Sequence, residues 1–204
     1  MKTANFFIGL MAVMFVFACN MDNRRTADDS VDQAMDVNDT TAMVEDDDAE
    51  FAVKAADAGL AEIELGKLAM EKASDQRVKD FAQRMVTDHQ KANDELMTIA
   101  TRHNITLPPV VSEEHTDKQR KLRERSGRDF DREYIDIMVR DHDKVVSLFE
   151  DAASDARNAD LKAFASKTLP TLKDHHEKAR ALRESLGGGR TGTDTTMVDH
   201  RVMP

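Results

Sequence analysis

The sequence predicts an all-α protein: an antiparallel four-helix bundle with a short extra helix between the second and third long helices. Three observations carry that expectation. Four stretches place apolar residues at alternating spacings of three and four, the narrow stripe that helices crossing at a shallow angle bury. Short polar connections link the first stretch to the second and the third to the fourth, so each pair reads as an antiparallel hairpin. The chain has no Trp and one Tyr, and Ala, Leu, Met and charged residues dominate, a composition that favours helix over strand.

Taken in order, the chain opens with Lys2 and an apolar run from Phe6 to Ala18. The run is too short for a comfortable transmembrane helix and has the form of a signal peptide over residues 1–18. Val16-Phe17-Ala18-Cys19 resembles a bacterial lipobox, although Phe17 is larger than the usual residue there. Cleavage before Cys19 leaves that residue to carry the lipid, and acyl chains then tether the protein to the membrane. The alternative is an ordinary signal peptide with an unrelated cysteine in its tail. Cys19 is the single cysteine, so no intramolecular disulfide staples the fold. Residues 19–48 are polar and acidic, include Asp46-Asp47-Asp48, and are expected to form a disordered, lipid-anchored linker.

The bundle is expected over residues 49–186, long enough to bury a core without staples. The first helix has Phe51, Ala55, Ala58, Glu62, Leu65 and Ala69 on its inner seam. Ser74-Asp75 turns the chain into the second, with Val78, Ala82, Met85, His89, Ala92, Leu96 and Ile99. Leu107-Pro108-Pro109 stops it, and Ser112 is placed to cap a short helix reaching about Ser126. That connection is long enough either to cross the bundle or to lie over one end. The third helix presents Ile135, Met138, His142, Val145, Phe149 and Ala152; residues 154–159 turn the chain. The fourth presents Leu161, Ala165, Thr168, Leu172, His175, Ala179 and Leu182, with a kink expected at Pro170. Gly187-Gly188-Gly189 end it, and residues 187–204 are expected to be a disordered tail. A faint repeat relates Val78-Lys-Asp-Phe-Ala82 to Leu161-Lys-Ala-Phe-Ala165, and Ser74-Asp75 to Ser154-Asp155. It sets Glu62 opposite His142 and suggests two hairpins about a pseudo-two-fold axis.

Five phrases occur together in order: Glu64-Leu-Gly-Lys-Leu-Ala69, Val78-Lys-Asp-Phe-Ala-Gln-Arg-Met-Val-Thr-Asp-His89, Phe130-Asp-Arg-Glu-Tyr-Ile135, Arg140-Asp-His142 and Leu169-Pro-Thr-Leu-Lys-Asp-His175. The set resembles the bacterial envelope family called domain of unknown function 4142, often labelled outer-membrane proteins, over roughly Phe51 to Leu186. The resemblance implies a ferritin-like bundle and an envelope setting, and no defined activity.

One polar residue falls on each inner seam: Glu62, His89, His142 and His175. Counting from the two turns at about 1.5 Å per residue puts Glu62 and His89 at nearly one height and His175 roughly one turn from His142, all four near mid-helix and so in one layer. A buried polar group without a partner costs on the order of 1–3 kcal/mol, so the layer needs a reason. Three imidazoles and a carboxylate suit one transition metal ion, zinc, iron or copper. Asp88, Asp141 and Asp174 precede the three histidines and are candidates to orient a ring on another helix, with Glu64 and Tyr134 as further candidates. His176 is a substitute for His175. The alternative is a structural layer in which each histidine bonds across the bundle and fixes register. Val86, Val139 and Leu172 stand three residues before the histidines, so the Glu-x-x-His motif of dimetal carboxylate bundles is missing. His103, His115 and His200 lie in or near loops and read as solvated.

Net charge is −10, which argues against a nucleic-acid partner. No Gly-rich phosphate loop and no Ser or Cys nucleophile beside a base appears, and no catalytic residue is assigned. The expected function is therefore a bacterial envelope lipoprotein, membrane-anchored in the periplasm or outer membrane. It serves as a non-enzymatic structural or stress-related interaction module, with an envelope protein or a second copy as partner. The alternative is a mononuclear metal-binding bundle for metal handling or redox protection.

Overall fold

A computed structural model describes residues 28–187. The signal peptide, Cys19, the Gly188-Gly189 pair and His200 lie outside them. Among the described residues the protein is all-α, with six helices and no strand: α1 Asp28–Thr41, α2 Asp46–Lys72, α3 Gln76–Arg102, α4 Glu113–Arg123, α5 Gly127–Asp155 and α6 Ala159–Gly187. None is long and apolar enough to cross a membrane.

The long helices α2, α3, α5 and α6 form a helical bundle and bury the seams read from the sequence. Val78, Ala82 and Met85 of α3, Ile135 and Met138 of α5, and Leu161 and Ala165 of α6 are fully enclosed. The core has two parts. One holds Leu65, Phe81, Phe130 and Tyr134; the other holds Phe51, Leu96, Phe149 and Phe164. Between them lies the polar layer. Gly66 lets α2 and α3 lie close, since a Cβ there would come 2.7 Å from Val86 Cγ2.

Two buried aspartates tie the hairpins together, and sequence patterning had not singled them out. Asp48, in the first turn of α2, accepts from the backbone N–H groups of Arg157 (3.1 Å) and Asn158 (2.6 Å) in the α5–α6 turn. Asp131, near the start of α5, accepts from those of Ser74 (2.8 Å) and Asp75 (3.0 Å) in the α2–α3 turn. Each hairpin thus has a carboxylate at its start that holds the other's turn. A buried amide left without an acceptor costs about 1–3 kcal/mol. Asp131→Ala is expected to lower unfolding stability by about 2–4 kcal/mol, a loss that chemical denaturation measures.

These contacts fix the helix directions. The start of α2 lies at the end of the bundle where α5 finishes. His103, closing α3, bonds Asp160 at 2.8 Å, so α3 finishes there too. Helices α3 and α5 therefore run the same way, and residues 103–126 travel the full length of the bundle, carrying α4.

The expected linker over residues 19–48 needs correction. Residues 28–41 form α1, and α2 begins at Asp46. Ala34 and Asn38 of α1 are buried. Asn38 exchanges two bonds with the Thr106 backbone, donating at 2.9 Å and accepting at 2.7 Å. Small and amide side chains, not a large apolar stripe, hold α1 down, so low hydrophobicity misled. Ser112 does precede α4, but its side chain makes no capping bond; its backbone N–H donates to Asp57 at 2.7 Å instead. Helix α6 runs from Ala159 to Gly187 through Pro170. Pro170 is exposed, where water can serve the carbonyl its ring leaves free.

Candidate metal centre

His89, His142 and His175 project into the layer from α3, α5 and α6, and Glu62 joins them from α2. Their exposures are 5, 0, 0 and 1% respectively. The ring centroids are 5.8 Å apart for His89 and His142, 5.4 Å for His89 and His175, and 5.6 Å for His142 and His175. One nitrogen from each ring lies within 4.8 Å of the other two, and the group can hold a metal ion.

Each ring has one nitrogen engaged and one free. His175 Nε2 lies 2.8 Å from Asp88 Oδ2. His142 Nδ1 lies 3.0 Å from the Met138 carbonyl oxygen and 3.1 Å from Glu62 Oε1. His89 Nδ1 lies 3.0 Å from Glu62 Oε2. The Met138 carbonyl and the Asp88 carboxylate only accept, so His142 Nδ1 and His175 Nε2 carry their ring hydrogens, and an ionised Glu62 places that of His89 on Nδ1. The lone pairs are then on His89 Nε2, His142 Nε2 and His175 Nδ1, all buried and all without a hydrogen-bond partner. Imidazole ligands held through the opposite N–H are the usual arrangement at a metal.

Electrostatics point the same way. Burial holds the His89 ring well below the ordinary histidine range and lowers His175 despite Asp88. Burial, then the neighbouring His175, lowers His142 to about 3. All three rings are therefore neutral near pH 7, the state that ligates. Burial, and then the Asp141 charge, push the Glu62 carboxyl well above its usual range. Its oxygens reach the two Nδ1 atoms off the line of the N–H bonds and have no well-aligned donor. A cation at the three nitrogens favours both the neutral imidazoles and the ionised Glu62.

Several expected roles change. Glu62 is not one of the converging ligands; it faces the outer nitrogens of two rings, because it sits opposite His142 and shares its height with His89. Asp88 serves His175 on another helix, as expected, and Arg84 braces it at 3.4 Å. Asp141 and Asp174 turn away from the rings, to Lys118 (2.8 Å) and to Arg84 (2.7 Å). Glu64 is exposed and pairs with Lys67 at 2.9 Å, so it takes no part. Tyr134 is fully buried with its hydroxyl unpartnered, and burial, with the Glu62 charge, pushes its pKa up. His176 Nε2 faces Asp143 Oδ1 at 2.9 Å without a hydrogen-bond alignment, on the side away from the three converging nitrogens. His103 and His115 are not solvated: their side chains are 20 and 15% exposed and face Asp160 and Asp57. Removing a group that orients a metal-binding histidine costs about 10- to 100-fold in affinity. Asp88→Asn is expected to weaken metal binding by about that factor at unchanged stoichiometry, readable in a competitive chelator titration.

No curated protein and no solved structure matches the chain. The sequence profile described as domain of unknown function (DUF4142) matches residues 33–182, well over half of the 204 residues and including most of α1. The chain belongs to the DUF4142 family.

Proposed function

We propose that this protein is a mononuclear metal-binding bundle, with His89, His142 and His175 as ligands of one transition metal ion. The observation that carries the reading is the convergence of three buried, unpartnered nitrogens. A layer built only to fix register pairs its polar atoms, because each unpaired one costs stability. Neutral imidazoles suit zinc, copper and iron, and three ligands leave one coordination position open. The missing Glu-x-x-His motif favours one ion over a dimetal carboxylate centre. Two antiparallel hairpins joined by one long crossover support a ferritin-like four-helix arrangement, with α1 and α4 laid on it. The lipobox-like Val16–Cys19 segment supports a lipid-tethered place at the bacterial envelope, where the bundle serves metal handling or redox protection.

The structural layer is the second reading, favoured by the contacts of Glu62 and Asp88 with the rings. Elemental analysis of protein purified without tag or chelator separates the two. Wild type is expected to carry stoichiometric metal, and a His89→Ala/His142→Ala double variant to carry none. Equal content in both ends the metal reading.

A further inference from the structure

A cavity of about 410 Å³ opens between α2, α4 and α5, with Val31 of α1 at its rim. Glu62 lies in its wall. That residue, 1% exposed and lacking a well-aligned donor, touches the cavity on one side and the rings of His89 and His142 on the other. Nearer the surface Glu114, His115 and Asp141 line the same cavity. Their donor atoms surround the ammonium of Lys118. Its Nζ lies 2.8 and 2.9 Å from the two Asp141 oxygens, 3.4 Å from His115 Nδ1 and 3.6 Å from Glu114 Oε1. His115 Nε2 lies 3.5 Å from Asp57 Oδ2, which leaves Nδ1 as the acceptor facing Lys118. Two carboxylates and an imidazole around the Lys118 ammonium, with Lys144 Nζ 3.7 Å from the same Glu114 oxygen, are a donor set for a divalent transition metal cation.

We propose that this cavity is the entry site for the metal. A divalent cation binds first at Glu114, His115 and Asp141, displaces the Lys118 ammonium, and passes Glu62 to the three histidines. No bond other than coordination changes, and the ammonium swings outward on its own stem still charged. Lys118 fills the cation's place while the site waits, which keeps the buried Asp141 carboxylate paired. The inference rests on the metal reading above and adds the route and the competitor.

The test follows cobalt(II) chloride binding to metal-free protein in a stopped-flow instrument. Tyr134, the single tyrosine in a chain without tryptophan, reports the central site by fluorescence quenching. Lys118→Met, which removes the competing charge, is expected to load about three- to tenfold faster. His115→Ala is expected to load about three- to tenfold slower, and both to end at the wild-type stoichiometry. Equal rates in all three proteins with full loading overturn the entry site and leave the central site standing. A His115→Ala protein that loads less cobalt at equilibrium also overturns it, because His115 then belongs to the final ligand set. Wild type that binds no cobalt sinks both readings.

Discussion

Replacing Glu62, His89, His142 and His175 together by Leu is expected to make the metal-free protein more stable, by about 1–4 kcal/mol, while abolishing metal binding. The sign follows from the geometry. The four side chains are nearly fully buried, three ring nitrogens lack partners, and both Glu62 oxygens lack aligned donors. Leucine has nearly the volume of histidine, leaves no polar atom to desolvate, and continues the apolar seams above and below the layer. Asp88, at the rim, keeps Arg84 at 3.4 Å. Truncating one member has the opposite effect: His142→Ala opens a cavity and strands Glu62, and should cost about 3–5 kcal/mol. At about 2–4 °C per kcal/mol for a chain of this size, the two changes separate by thermal unfolding. The comparison distinguishes the two readings of the layer. A site retained for ligand binding sits at a cost to stability, whereas a layer retained for structure does not. If the four-leucine protein unfolds more readily than metal-free wild type, the polar layer is structural and the metal reading fails.

The outline of this layer was legible in the sequence, and its atomic roles were not. Helical periodicity makes an inward His or Glu conspicuous, and counting from the turns gives its height. So spacing brought the three histidines to mid-helix, with His175 counted about one turn off, and the structure closes that gap. The split between ligand and orienting group depends on which way each side chain leans across the bundle, a matter of rotamers and sub-ångström packing. Glu62 therefore passed for a fourth ligand, and Asp141 and Asp174 for orienting groups, while Asp88 alone takes that part. The α1 helix stayed hidden because Ala34 and Asn38, not large apolar residues, fix it. His115 read as a solvated loop residue because nothing in sequence says where a crossover lies. Once residues 103–126 are known to run the length of the bundle, the polar face of α4 is seen to close a cavity.

Acidification should release the metal and weaken the fold together. His89, His142 and His175 have pKa values lowered by burial, His142 to about 3, against an ordinary value of 6.5. The unfolded chain therefore binds more protons than the folded one below 6.5, for His142 down to about 3. The stability these rings contribute is complete above 6.5 and is lost progressively as pH falls below it. Glu62 works in the other direction. Its pKa is raised from 4.5, so its contribution is present below 4.5 and is lost as pH rises through the folded value. Between 4.5 and 6.5 three rings oppose one carboxyl, and the net slope is destabilising on the acid side. Below 4.5 the carboxyl no longer compensates, and the decline steepens, amounting to a few kcal/mol by pH 4 for a ring lowered this far. Bound metal delays the loss, since protons must displace it from nitrogen, and binding weakens as pH falls. The expected result is a melting temperature that falls from pH 7 to pH 4, with the gap between metal-loaded and metal-free protein closing over the same interval. Metal content after dialysis at each pH should drop in step. Full retention of metal at pH 4 would show that carboxylates or other groups, and not these imidazoles, hold the ion.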